Sequence, residues 1–191
     1  KLAILYSRRQ DESEKKVAWT DIPEELKKKR DAKLREYQQR NDGYAGRFMV
    51  VEVETGKTLL EKQLWYSTSS GNNMLVWRGD DVYVVGYSNQ NAKISKDGAL
   101  TYFELENSFN YAFAPSADGA AFWTGGLRTG AHTTIEGLVA TPFELDALPG
   151  FPEYYKAFSA AKDGAAFAGT TSFRVAKIGA DGKLVKVVPV Y

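Results

Sequence analysis

The chain has no cysteine, which excludes disulfides, thiol nucleophiles, iron–sulfur ligation and cysteine-based zinc sites. Histidine occurs once, at His132, so a metal centre built from histidines is excluded by number, while an oxygen-ligand calcium site is not. No apolar run approaches the ~20 residues that a bilayer-spanning helix needs. Residues 1–10 (KLAILYSRRQ) turn polar after Tyr6, too early for a signal sequence. Neither sign of charge is in excess: 25 Lys plus Arg stand against 24 Asp plus Glu, a formal net charge of +1. A chain so balanced carries no overall field for nucleic acid or an anionic membrane, and neither nucleic-acid binding nor membrane insertion is expected. No G-x-S-x-G nucleophile elbow is present, and Gly125, Gly126 and Gly130 lack the lysine and helix start of a phosphate-binding loop. A Ser-His-Asp site would have to use His132. We therefore expect no catalytic residues, no metal site and no cofactor.

What the chain does have is material for a core, with 43% hydrophobic and 13% aromatic residues, and a repeat. Four turn signals separate β-rich runs: Glu54-Thr55-Gly56-Lys57, Lys96-Asp97-Gly98-Ala99, Ile135-Glu136-Gly137-Leu138 and Ala180-Asp181-Gly182-Lys183, with glycines 42, 39 and 45 residues apart. Each turn precedes a strand-like run, at 57–65, 99–106, 138–146 and 183–191. A second turn recurs upstream as Gly79-Asp80-Asp81, Ala117-Asp118-Gly119 and Lys162-Asp163-Gly164. The runs that follow it, DVYVVGYS, AAFWTGGL and AAFAGTTS, suit strands buried on both faces. With Met74–Trp77, Asn110–Ala114 and Tyr155–Ser159 ahead of those turns, each unit offers four strands, a to d. The Ala-Ala-Phe runs at 120–122 and 165–167 read as equivalent inner strands.

Four short strands every 40 residues or so, joined by glycine turns, resemble a β-propeller blade. The turns Pro115-Ser116-Ala117-Asp118-Gly119 and Gly179-Ala180-Asp181-Gly182-Lys183 are similar to those of several propeller families, over about residues 46–191. No Trp-Asp dipeptide closes a strand d, which disfavours WD40. Ser95-Lys96-Asp97-Gly98 is one spacer short of the sialidase Asp-box. The resemblance implies an all-β fold: a β-propeller-type array of about four four-stranded antiparallel blades, part of a larger ring. Residues 2–10 align with 82–90, which places the start of the chain at strand b of a first blade. The expectation is the C-terminal part of a larger propeller, completed by another chain or segment; several copies around one axis are the competing arrangement, and a solitary four-bladed ring with a three-stranded first blade is a third.

Between strands b and c of that first blade lies a long insertion, residues 11–45. Asp21-Ile22-Pro23-Glu24 is a capping box with proline in the first turn, and no glycine or proline follows through Arg40, so a helix is predicted over about 22–40. Leu26, Leu34 and Tyr37 make one narrow apolar stripe. Nine basic and eight acidic residues between Asp11 and Arg40 read as a solvated face, and the Lys27-Lys28-Lys29-Arg30 run needs no nucleic acid to explain it.

Acidic residues divide by position. Asp97, Asp118, Asp163 and Asp181 sit where an aspartate stabilises its own turn, and Glu52/Glu54 and Glu104/Glu106 alternate along strands. Aromatics in the connections point to binding instead. Trp65, Tyr66, Tyr111, Phe151, Tyr154 and Tyr155 fall in d–a connections, while Arg128 and His132 fall in a b–c loop. In propellers both kinds of connection emerge on one face, and Tyr, Trp and Arg dominate binding hot spots. These eight residues are the candidate binding set; plugging the central channel is their bland alternative. The expected function is a non-catalytic binding or scaffolding module with a protein partner, acting through the face that bears the insertion. The alternative is the C-terminal part of a propeller enzyme, a hydrolase or a quinone-dehydrogenase-like protein, with catalytic residues in other blades. The single Thr55-Gly56-Lys57…Trp65 run is similar to quinone-dehydrogenase repeats. Replacing residues 12–43 with a short turn is expected to preserve the β signal in circular dichroism, since surface insertions are tolerated; its loss would refute the insertion.

Overall fold

The structure is a computed structural model that describes residues 1–9, 44–64, 73–86, 91–105, 111–146, 148 and 152–190. The described residues form four antiparallel sheets, each following the order of the chain. The first holds β1 (Leu2–Arg9), β2 (Tyr44–Val51) and β3 (Thr58–Leu64). The second holds β4 (Asn73–Arg78), β5 (Asp81–Gly86), β6 (Asn91–Ile94) and β7 (Leu100–Phe103). The third holds β8 (Ala112–Pro115), β9 (Ala121–Gly125), β10 (Thr129–Thr134) and β11 (Ala140–Glu144), and the fourth β12 (Tyr155–Ala160), β13 (Ala166–Thr170), β14 (Arg174–Ile178) and β15 (Leu184–Pro189). Among the described residues the first sheet has three strands, in the order β1-β2-β3. The predicted helix at 22–40 lies outside the described residues. Tyr44 and Ala45, inside the expected bounds of 11–45, belong to β2, where they pair with Arg9 and Arg8.

Local chemistry explains the hairpins. The carboxylates of Asp97, Asp118, Asp163 and Asp181 each accept the N–H two residues on, at 3.3, 2.9, 3.1 and 3.1 Å. The glycine after each adopts the left-handed region, with φ of 84°, 67°, 82° and 80°, where a side chain would be strained. Hydroxyls of Ser95 and Ser116 add a bond to Asp97 and Asp118, and with the backbone N–H groups they hold both carboxyls below their ordinary value.

The sheets pack face to face in chain order. Phe48, Val50 and Leu64 of the first share a buried cluster with Val82, Val84, Ala92 and Ile94 of the second. Val76, Tyr83, Val85 and Phe103 of the second meet Phe122 and Ile135 of the third. Trp123 and Phe143 of the third meet Tyr155, Ala166, Ala168, Ala176 and Ile178 of the fourth. The strands a, β4, β8 and β12, lie side by side. Strands b differ with their neighbours: β5 and β9 are buried on both faces, whereas β13 alternates and leaves Phe167 44% exposed. The two-sided burial expected of AAFAGTTS is therefore corrected, because no described sheet lies beyond the fourth.

The Ala-Ala-Phe runs also fall in different registers. In the third sheet the a–b turn closes with Ser116 N–H donating to the Ala121 carbonyl, but in the fourth Ala161 N–H reaches Ala165, one residue sooner. Trp123 lies opposite His132, and Phe167 opposite Lys177. Phe167 thus occupies the place of Trp123, and Phe122 the place of Ala166. A one-residue change reverses every side chain because strand alternation has period two.

Ala166 is fully buried in the cluster that holds Trp123. Ala166→Leu is expected to cost roughly 1–3 kcal/mol by overpacking, read as a lower urea midpoint, whereas Phe167→Ser should lie within about 0.5 kcal/mol. Equal effects would contradict this register.

Candidate interaction site

The Asp-Gly turns occupy one end of the sheets; the β9–β10 and β13–β14 turns and residues 152–154, which lead into β12, lie at the other. In the β9–β10 turn Gly126 N–H donates to Thr129 O at 2.9 Å, and Arg128 takes φ 56°. That turn is held from two sides. Leu145 N–H, after β11, donates to the Arg128 carbonyl at 3.0 Å. From the incoming connection, Glu153 O accepts the Arg128 N–H at 3.0 Å, Tyr155 N–H donates to Gly126 O at 3.0 Å, and Tyr154 bridges Leu127.

A buried ion pair fixes the connection itself. The Glu153 side chain is fully buried and accepts from the Arg174 guanidinium, whose Nε lies 2.9 Å away, and from the Thr170 hydroxyl. Arg174 also donates to the Asp146 carbonyl at 3.0 Å, tying the fourth sheet to the end of the third. Hydrogen bonding from Arg174 outweighs burial and holds the Glu153 carboxyl below its ordinary value, and the same bond raises the guanidinium.

The candidate residues divide on this frame. Tyr111 and Tyr154 meet edge to face, with ring centroids 5.2 Å apart at 87°. Arg128 pairs with Glu144 at 3.1 Å beside them. Trp65, Tyr66 and Phe151 lie outside the described residues. Two placements are corrected. His132 is in the middle of β10, not in a loop; its ring lies tilted at 36° against Trp123, centroids 4.3 Å apart, and its Cβ is close to Gly182 of the fourth sheet. Burial lowers its basicity, against an opposing pull from the Asp118 carboxylate. Tyr155 is fully buried, stacked on Phe158 at 5.3 Å with an edge contact to Phe143; burial, then the Glu153 charge, pushes its phenol up. Both pack against neighbouring rings: β10 begins at Thr129, inside the run read as a loop, and Tyr155, first residue of the strand expected at 155–159, is covered by the third sheet.

Sequence reasoning missed Leu127, 48% exposed beside Tyr154, and the Glu153–Arg174 pair. A lone glutamate between Pro152 and two tyrosines was the available signal for the pair; Leu127 had none. Tyr111 also lines a cavity of about 540 Å³ along the strands a, with Met74, Phe113, Lys156 and Phe158. No group of three or more metal-ligating side chains occurs among the described residues.

No protein-family model matches the chain, and no curated protein matches it. Among solved structures it is similar to the Neurospora crassa Pan2 WD40 domain, at 9% identity and TM-score 0.55 over 76% of this chain and 45% of that one. It is similar also to the Myceliophteria thermophila Cps50 (Swd1) β-propeller domain, at 7% identity and TM-score 0.53 over 70% and 47%. A protein of unknown function from Bacteroides caccae matches at 12% identity and TM-score 0.51 over 76% and 54%. The chain spans about half the length of each. At such identities the likeness is one of fold: the chain is an array of β-propeller blades.

Because the folded Glu153 carboxyl titrates below its unfolded value, its contribution is present above the ordinary carboxylate range and lost as pH falls through the folded value. Glu153→Gln is expected to lower stability at neutral pH by about 3 kcal/mol, leaving Arg174 without its partner. The gap from wild type should narrow from about pH 5 downward. Urea unfolding across that range is the check, and a gap that stays constant in acid would show that the pair is not ionised.

Proposed function

We propose that the chain is a non-catalytic protein-binding or scaffolding module that works through the end of the array where the β9–β10 turn, Tyr111 and Tyr154 meet. One observation carries this reading: Leu127 is exposed beside Tyr154 on a turn clasped from both sides, so an apolar and aromatic patch is presented on rigid backbone. Little side-chain entropy is lost when such a patch is covered. Trp65, Tyr66 and Phe151 extend the surface in this reading. In this reading the insertion between β1 and β2, a b–c connection like β9–β10, belongs to the same surface. A further chain or segment completes the ring, consistent with a first sheet of three strands and with the half-length match to solved propellers.

Tyr154→Ala and Leu127→Ala are each expected to weaken partner binding by about 1–3 kcal/mol with smaller effects on stability. Asp97→Ala and Asp181→Ala should do the reverse, loosening turns at the far end. Capture on immobilised protein, followed by titration of the isolated partner, distinguishes them; turn variants that lose the partner while the patch variants keep it would move the site to the opposite end.

A further inference from the structure

The interface between the first and second sheets is filled differently from the two that follow it. In the second and third sheets a strand-b aromatic lies opposite a strand-c nitrogen base, Tyr83 with Lys93 and Trp123 with His132. The first sheet has Ala3 and Val50 at that register. Val50, Lys93 and His132 correspond because each lies two residues before the one whose N–H closes the c–d turn, Glu52, Ser95 and Thr134. An alanine and a valine thus stand where the next two sheets place a ring and a base.

A cavity of about 400 Å³ lies at this interface, within the roughly 300–1,000 Å³ range of small-molecule sites. Phe48, Val50, Val82 and Ile94 line it and are buried. Leu59 and Trp77 line it too and remain 42% and 39% exposed. Trp77 is a second departure from the repeat. Its counterparts, each paired with the residue before the strand-b aromatic, are Pro115 in the third sheet and Ala160 in the fourth. The charged residues of the lining are all exposed. Lys96 of the β6–β7 turn meets Asp80 of the β4–β5 turn, Nζ to Oδ2 at 2.9 Å, and Lys1 lies beside them. The hydrogen bond and charge of Lys96, with a smaller pull from Lys1, hold the Asp80 carboxyl below its ordinary value. Two ammonium groups against one carboxylate leave a positive excess at the mouth of an apolar cavity.

We propose that this cavity binds a small amphiphile, an aromatic body carrying one carboxylate, with the ring against Trp77 and Val82 and the carboxylate on Lys96. The ligand's ring takes the place that Tyr83 and Trp123 fill in the other sheets. Covering Trp77 and Leu59 removes apolar area from water, whereas an anion on exposed lysines adds a smaller contribution that salt screens. The apolar body therefore supplies most of the affinity, and the lysines decide which sign of charge is accepted. The site lies at the Asp-Gly end of the sheets and is independent of Leu127 and Tyr154.

Calorimetric titration of the full chain with naphthoate, naphthamide and naphthylmethylammonium, which share one ring system, tests the site. Naphthoate is expected to bind several-fold more tightly than the amide, and the ammonium more weakly than either. Trp77→Ala should weaken all three. Lys96→Gln should abolish the preference for naphthoate over the amide, and Asp80→Asn should tighten naphthoate several-fold by freeing Lys96. These side chains are exposed, so the thermal midpoint of each variant should match that of the parent chain. No binding by any of the three compounds, or binding that Trp77→Ala leaves unchanged, would overturn the cavity as a ligand site. Tightest binding by the ammonium, or a naphthoate preference that survives Lys96→Gln, would overturn the choice of an anionic ligand.

Discussion

Side chains leaving one sheet must fit the face of the next, and their sizes are matched interface by interface: Tyr83 and Phe103 meet Phe122 and Ile135 between the second and third sheets. Trp123 is accommodated because Ala166, Ala168 and Ala176 line the opposing face. Glycine serves the same purpose within the third sheet: a Cβ on Gly125 would lie 2.7 Å from the Tyr155 ring, and one on Gly130 2.4 Å from that of Phe143. Neither glycine has positive φ; close approach, not backbone freedom, requires them. Cores filled to crystal density leave no slack for an added methylene, so each sheet's sequence constrains its neighbour's.

Face-to-face packing alone would let successive sheets slide. The connection through Glu153 prevents this with directional bonds, two to the β9–β10 turn through backbone and several to Arg174 and Thr170 through its carboxylate. A buried ion pair adds little net stability over an apolar substitute, but it penalises every placement in which one charge is left alone. That is how Tyr154 comes to lie against both Leu127 and Tyr111. The placement of Leu127 and Tyr154 is thus a consequence of how consecutive blades are keyed together.

Much of the fold was legible in the chain itself. The repeat, the four-strand unit, the entry at strand b and the structural role of Asp97, Asp118, Asp163 and Asp181 all rest on chemistry within a few residues, an aspartate bonding an N–H two positions on with a glycine beside it. Such interactions are nearly independent of what surrounds them, so sequence determines them. The tertiary structure decided which way the strands face and what covers them. Whether a turn closes at Ala121 or Ala165 reverses a strand, and two identical Ala-Ala-Phe runs end with Phe122 buried and Phe167 exposed. The position of His132 in a strand, the burial of Tyr155 and the Glu153–Arg174 pair likewise depend on partners 9 to 21 residues away. Burial is a property of the neighbouring sheet and not of the residue, and only packing reveals which sheet is there.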